Sequence, residues 1–345
     1  MRAVTFYEKD KVELVEKPVP EIAGDEILLK IRGAGLCRSD FDIIAMGEGP
    51  CSGYTLGHEG AGIVEKIGDE VEGWEVGEAA VVALVLSCGH CCECQRGRDN
   101  YCEFAYPRGR MAPRSPGIAF DGAMADYMAV KAYHLVHLGD IDPVDAAPLA
   151  DAAVTPMHAI NTVRHRLTAD SYVAISGLGG LGHIGLQIVA ATTGATIIAL
   201  DTVDEKIKFA AEHGADYAIK SDAQAADKIL EITQGKGVDV YLDFVGVQPT
   251  VDLALKVIRN GGAIRFVGLG GGRFNYIAGN EKQFPWGVEI YQGYGGTMAD
   301  LRQVVALAAQ GKITVDTVHY PLDDVVQAFD DLREGKIAGR TVLVP

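Results

Sequence analysis

The sequence has no run of about 18 apolar residues, which excludes a hydrophobic membrane-spanning helix. Its first residues, MRAVTFYEKDKVELVEK, lack the apolar core of a signal peptide and alternate in the manner of a strand. Positive charge is scarce. Thirty-one Lys and Arg stand against 47 Asp and Glu, a formal net charge of −16, and no basic block interrupts the excess. This balance opposes binding to nucleic acid or to an anionic membrane, and reads as a solvated acidic surface. Internal repeats and low-complexity tracts are absent. Cysteine is sparse and odd in number, with seven in 345 residues. Without a signal peptide, that count argues against a disulfide framework and for reduced thiols in the cytoplasm.

What is present divides along the chain. A length of 345 residues favours two domains, and 48% hydrophobic with 23% charged residues is the mix of a globular protein. The first 150 residues carry short β-like runs, EILLKIRG, GAGIVEKIG, EAAVVALVL and AMADYMAV, separated by turn residues. They predict an all-β, barrel-like unit. From about Ser171 strands and helices alternate: SYVAISG, LGHIGLQIVAATTG, ATIIALD, VDEKIKFAAEHG, ADYAI, GVDVYLDFVG, PTVDLALKVIRNGG, GAIRFVGLG. That rhythm predicts an α/β unit with a doubly wound parallel sheet. Two further helices, MADLRQVVALAAQG and LDDVVQAFDDLREG, precede a closing strand, GRTVLVP.

The stretch ISGLGGLGHIG contains G-x-G-x-x-G as Gly177, Gly179 and Gly182, with Gly180 and Leu181 between. In a chain with 42 glycines the pattern alone is weak. Its context carries the argument, because it follows a strand, opens a helix, and precedes Asp201 at the end of the next strand by 19 residues. In that arrangement glycines allow a tight turn and the approach of a pyrophosphate to a helix N-terminus. A carboxylate at Asp201 accepts the adenosine ribose hydroxyls of NAD and repels the extra phosphate of NADP. The repulsion is roughly 1–4 kcal/mol at ~4 Å. NAD is the expected cofactor.

SCGHCCECQRGRDNYC spaces Cys88, Cys91, Cys94 and Cys102 as C-x2-C-x2-C-x7-C. Four thiolates from one loop can close a tetrahedral zinc site with no open position. The bacterial iron–sulfur run needs a final gap of three followed by proline, and here the gap is seven with Glu103 following. Zinc is therefore the expectation, against unmetallated thiols. Cys92 and Cys51 read as spectators.

Upstream lie GLCRSD, with Cys37, and TLGHEGAGIVEKIGDEV, with His58 and Glu59 between glycines. The latter resembles the zinc signature of the medium-chain alcohol dehydrogenases. With GLCRSD before it, the four-cysteine loop after it and GLGGLG beyond, the resemblance spans essentially the whole chain. It implies a GroES-like catalytic domain of residues 1–150 and 295–345 and an NAD-binding Rossmann domain of residues 151–294. It also implies a catalytic zinc on Cys37, His58 and Asp151, with Glu59 as an alternative ligand. Asp151, in PLADAAVTPMHAI, stands where the animal and plant enzymes carry cysteine; here the chain resembles bacterial secondary-alcohol dehydrogenases and carbonyl reductases. Thiolate, imidazole and carboxylate are all accepted zinc ligands, and three of them leave a fourth position open for a substrate oxygen.

By the same resemblance Ser39 matches a proton-relay hydroxyl, and Asp40 a carboxylate that orients the histidine ligand. Asp42 stands where some relatives extend the relay with histidine. Arg38 and Arg340 match contacts to the cofactor pyrophosphate, Lys206 a contact to the adenosine ribose, and Val245 and Val267 the nicotinamide wall. The implied function is reversible hydride transfer between NAD and a secondary or primary alcohol, by a homo-oligomer, dimer or tetramer, joined near Val288–Tyr294. Two zinc ions per chain are expected. A polyol or amino-alcohol dehydrogenase would share every motif, and an inactive NAD-binding scaffold would share most. Phe41, Tyr54, Trp286 and Tyr294 are candidates for an apolar substrate pocket.

Overall fold

The computed structural model describes residues 1–47, 51–105, 114–275, 285–337 and 339–345. The chain forms two compact units. One comprises Met1–Val154, Gly295–Gly311 and Val315–Pro345, the other Thr155–Tyr294 and Lys312–Thr314. Asp151 thus falls in the same unit as Cys37 and His58. Among the described residues no helix is long and apolar enough to cross a membrane.

The first unit is built on a seven-stranded sheet whose central strand is Glu26–Leu36. That strand pairs antiparallel with Glu59–Ile67, Tyr127–Lys131 and Arg340–Val344. Its sequence, EILLKIRGAGL, places Ile27, Leu29, Ile31, Ala34 and Leu36 in a core with Phe6, Leu56 and Met124. Each such large apolar side chain, fully buried, stabilises the fold by about 1.5–3 kcal/mol. The helix Val325–Arg333 joins this core through Val325, Ala328 and Phe329, positions one helical turn apart. EAAVVALVL supplies a strand only over Ala79–Val82. Beyond it Ala83 N–H bonds His134 O and Leu86 N–H bonds Arg114 O, so this buried run leaves the ladder and leads into the cysteine loop. The edge strand Thr317–Pro321, too polar to announce itself, pairs parallel with Arg340–Val344.

Register decides what sits beside what. Gly35 faces Glu59, and Leu36 faces Thr341. The ends of three neighbouring strands therefore bring Cys37, His58 and Arg340 to one corner. Gly35 is required there, because a Cβ would overlap the Glu59 carboxylate and its Cβ.

The second unit is a six-stranded parallel sheet. Tyr172–Ser176 lies beside Thr196–Asp201 and then Tyr217–Lys220 on one side; Val238–Asp243, Ile258–Phe266 and Glu289–Gln292 follow in order on the other. The chain reverses direction across the sheet between Tyr172–Ser176 and Val238–Asp243, the switch point at which doubly wound sheets bind ligands. Helices Gly182–Thr192, Asp204–Glu212 and Gln248–Val257 match the expected ones, and Ala225–Ile232 adds another. At the edge, Arg265 is buried and pairs with Glu289 while bonding Thr162 Oγ1 at 2.8 Å. The α/β class and the division into a β-rich and a doubly wound unit hold.

Gly35→Ala should lower the unfolding free energy by about 1–3 kcal/mol, read by denaturant titration, because the new methyl overpacks the strand interface. An unchanged midpoint would show that Glu59 can move aside.

Candidate active site and metal centres

Cys37 follows the central strand directly, His58 precedes Glu59–Ile67 directly, and Asp151 ends the 3-10 turn Ala147–Ala150. Donor atoms of Cys37, His58, Glu59 and Asp151 all lie within 4.8 Å of one another. Cys37 Sγ is 3.7 Å from Asp151 Oδ2, and His58 Nε2 is 3.6 Å from the same oxygen. A tetrahedral zinc with bonds of about 2.0–2.3 Å sets its donors about 3.4–3.8 Å apart, so these residues fit that ion. Ser39 Oγ borders the cluster, 3.4 Å from His58 Nε2.

The other ring nitrogen of His58 lies 3.2 Å from Asp40 Oδ1, a charge contact whose geometry falls short of a hydrogen bond. Asp40 Oδ2 accepts from Cys37 N–H at 2.8 Å, so one fully buried carboxylate steadies both neighbours. Burial opposes a charge on His58, but the negative charge of Asp40 and the nearby Asp151 carboxylate outweigh it, and the imidazole pKa is held well above its usual range. The surroundings favour a cation. Burial pushes the Glu59 carboxyl up, against the pull of Arg340. Arg340 Nη2 donates to Glu59 Oε1, while Glu59 Oε2 and Arg340 Nε are buried without a hydrogen-bond partner among the described residues. Burial alone would ease the proton off Arg340; the charges of Glu59 and Cys37 hold it on.

The cysteine loop forms a second centre. Cys91 Sγ is 3.5 Å from Cys94 Sγ and 3.9 Å from Cys102 Sγ, and Cys88 Sγ is 3.9 Å from Cys94 Sγ. Zn–S bonds of about 2.3 Å make tetrahedral edges of about 3.8 Å, and the loop fits. Backbone N–H groups of Cys88 and Cys91 point at Cys102 and Cys88 sulfurs at 3.2 and 3.3 Å, as thiolates require. A backbone N–H from Cys94 draws the Cys91 thiol down to about 6, while burial pushes Cys94 up to about 12. Only a cation can ionise all four together. Cys92 is exposed, Cys51 is buried in the first unit's core, and neither joins a cluster. Buried Asp99, inside the loop, accepts Met298 N–H at 2.9 Å at the start of the helix Met298–Ala309.

In the second unit Gly177 has φ +86°, and a Cβ there would overlap Val245. At Gly182 a Cβ would strike Gly177 O, whereas at Gly179 it would meet no protein atom within 4 Å. Two glycines are thus demanded by the turn and the third leaves open room, as close approach of a pyrophosphate needs. Gly180 and Leu181 lead into the helix Gly182–Thr192. Asp201 accepts N–H from Leu178 at 2.7 Å and Val203 at 3.0 Å, and Lys206 Nζ lies 3.9 Å from it. Val245 and Val267 are half-buried, and Arg38 is exposed. Phe41 packs edge-on against Phe329 in the first unit's core, and Trp286 is 64% exposed. Sequence reasoning missed Asp243, a buried carboxylate in LDFVGV; its signal was an acid ending an otherwise apolar strand beside glycine.

Comparison with known proteins agrees with this chemistry. Residues 23–140 match the family described as alcohol dehydrogenase GroES-like domain, and residues 180–310 match zinc-binding dehydrogenase. An NAD-dependent alcohol dehydrogenase of Sulfurisphaera tokodaii is 34% identical, with 100% of each chain covered. A D-arabinose 1-dehydrogenase (NADP(+)) of Saccharolobus solfataricus is 33% identical over 99% of this chain and 95% of its own. The crystal structure of the alcohol dehydrogenase from Aeropyrum pernix superposes with a TM-score of 0.87 at 31% identity, covering 100% of both chains.

Cys102→Ser should remove one of two zinc equivalents, counted by elemental analysis, and lower the thermal midpoint. The loss of one buried sulfur ligand costs on the order of several kcal/mol of site stability. Full retention of both equivalents would refute the four-sulfur centre.

Proposed function

The chain belongs to the zinc-dependent medium-chain alcohol dehydrogenases, and from that premise we propose that it oxidises secondary alcohols and reduces the matching ketones with NAD. The observation that carries the reading is the meeting of Cys37, His58 and Asp151 donors within 4.8 Å, with Ser39 Oγ at their border. When bound, zinc supplies a Lewis acid that lowers the pKa of a hydroxyl, and NAD supplies the hydride acceptor.

The chain's own groups do the rest. Cys37 Sγ, His58 Nε2 and an oxygen of Asp151 hold the metal and leave one face for substrate. Asp40 fixes the imidazole so that Nε2 faces inward. Ser39 Oγ would accept the hydroxyl proton as it gives up its own toward the nicotinamide ribose and, beyond it, solvent. Glu59 Oε2, lacking a hydrogen-bond partner among the described residues, is the alternative donor, and Arg340 restrains that carboxylate. Arg38 and Arg340 are assigned to the pyrophosphate, with Gly177, Gly179, Gly180, Leu181 and Gly182. Asp201 and Lys206 are assigned to the adenosine ribose, and Val245 and Val267 to the nicotinamide. The two zinc roles divide accordingly, one catalytic and one structural in the Cys88–Cys102 loop. The same reading makes the protein a cytoplasmic homo-oligomer joined along the edge strand Glu289–Gln292, which pairs on one side only among the described residues.

A panel of primary alcohols, secondary alcohols, diols and aldoses, assayed with NAD and NADP by absorbance of the reduced cofactor, tests the proposal. Secondary alcohols with NAD should give the highest kcat/KM, and NADP should be roughly tenfold or more worse. No turnover of any alcohol by zinc-replete protein would overturn it, and a preference for aldoses would move it to sugar oxidation. Ser39→Ala should lower kcat by about 10²–10⁴ with zinc content unchanged, the size expected for a lost proton-transfer group. A kcat within twofold would remove Ser39 from the relay.

A further inference from the structure

The proposed site uses Val245 and Val267 but leaves unexplained how two separate turns are held at one place. Both hang on Asp243. This residue ends the strand Val238–Asp243, is wholly buried, and has no cationic partner among the described residues. Its Oδ1 accepts N–H from Val245 and Gly246, each at 2.9 Å, and its Oδ2 accepts the Thr250 hydroxyl at 2.7 Å. Its main-chain carbonyl accepts N–H from Val267 at 2.8 Å and Gly268 at 3.0 Å. One residue thus fixes the start of both valine turns.

The turns are in turn locked to the glycine loop. Phe244 N–H bonds Ser176 O at 2.9 Å, and the Val245 side chain occupies the space a Cβ on Gly177 would take. The Phe244 ring lies where a Cβ on Gly185, in the helix after that loop, would meet it at 2.8 Å. Gly268 and Gly270 pack so closely on Val245 main chain that neither tolerates a side chain without a shift. A charged carboxylate so buried is costly, and burial does push its pKa up. Three hydrogen-bonded groups, the N–H groups of Val245 and Gly246 and the Thr250 hydroxyl, meet that cost, and an apolar residue could not hold them.

We propose that Asp243 is a positioning residue for the nicotinamide half of the cofactor site, setting Val245 and Val267 through its side chain and its carbonyl. This rests on the reading of those valines as the nicotinamide wall. The ligand is the nicotinamide riboside portion of NAD; the adenosine portion is assigned to Asp201, at another strand end, and to Lys206 in the helix Asp204–Glu212.

Binding, measured without turnover, tests it. NADH is titrated by fluorescence and ADP-ribose, which lacks nicotinamide, by calorimetry. Asp243→Ala should weaken NADH about ten- to hundredfold, because two N–H groups and a hydroxyl lose their acceptor, and leave ADP-ribose within about twofold. Asp243→Asn keeps the shape and one acceptor oxygen, so it should restore NADH binding to within about threefold. Should Asp243→Ala not fold, Thr250→Val decides, with a roughly threefold or larger loss confined to NADH in support. Equal weakening of both ligands, or unchanged NADH binding, would overturn the proposal. If Val245→Ala and Val267→Ala both leave NADH binding unchanged, the valine reading itself fails and the assignment of Asp243 falls with it. If they weaken NADH and Asp243→Ala does not, only the role of Asp243 is lost.

Discussion

Asp40, Glu59, Asp151 and the sulfur of Cys37 surround one imidazole in a corner of the first unit, and three of these four groups lie almost out of reach of water. Charge of one sign gathered at low dielectric is the constraint from which the rest follows. Arg340 offsets part of it by pairing with Glu59, and His58 offsets part by keeping a proton. Even with His58 Nε2 3.6 Å from Asp151, the donor atoms of Cys37 and Asp151 still face each other at 3.7 Å. A divalent cation bound there would offset the remaining charge directly. The same logic is repeated with softer atoms in the cysteine loop, where sulfur replaces oxygen and nitrogen and closes the fourth position.

The sheet is what makes such crowding tolerable. Cys37, His58 and Arg340 are not neighbours through any local turn; they meet because antiparallel pairing aligns Gly35 with Glu59 and Leu36 with Thr341. A shift of one residue would send these side chains to the opposite face. The apolar alternation of EILLKIRGAGL, buried on its core face, resists that shift. Packing of Ile27, Leu29 and Leu36 in the core thereby helps fix the position of the donor atoms at the strand ends.

Much of this was legible beforehand, and for identifiable reasons. Four thiols spaced as Cys88 through Cys102 point to a metal by residue type and spacing, whereas Cys37 with His58 was legible only through the resemblance to the alcohol dehydrogenases. Gly177 and Gly182 declare a turn because no other residue fits there. Asp243 was hidden, because an acid at a strand end is ordinary until its hydrogen-bond partners are known. Gly35 was hidden too, since its need arises from a side chain across the sheet. Phe41, a candidate for a substrate wall, is partly buried and packs edge-on against Phe329, a contact that sequence could not show. Thr317–Pro321 escaped because a half-exposed edge strand carries almost no apolar pattern. Local chemistry can be read along the chain, whereas contacts made by register cannot.

The metal-bearing unit is interrupted: the chain leaves it at Val154, builds nearly all of the other unit, and returns at Gly295. On a translating ribosome the cysteine loop emerges whole and can close on zinc at once. The corner around Cys37 must wait for Arg340–Val344 to slot beside Glu26–Leu36, after every residue of the intervening unit has been synthesised. At about 5–20 residues per second that delay is on the order of ten to forty seconds. Throughout it the Ala34–Leu36 end of the central strand lacks its last partner, and the nascent polypeptide carries a carboxylate, Glu59, still lacking its guanidinium. The sheet of the second unit, continuous in sequence from Tyr172 to Gln292, has time to mature first.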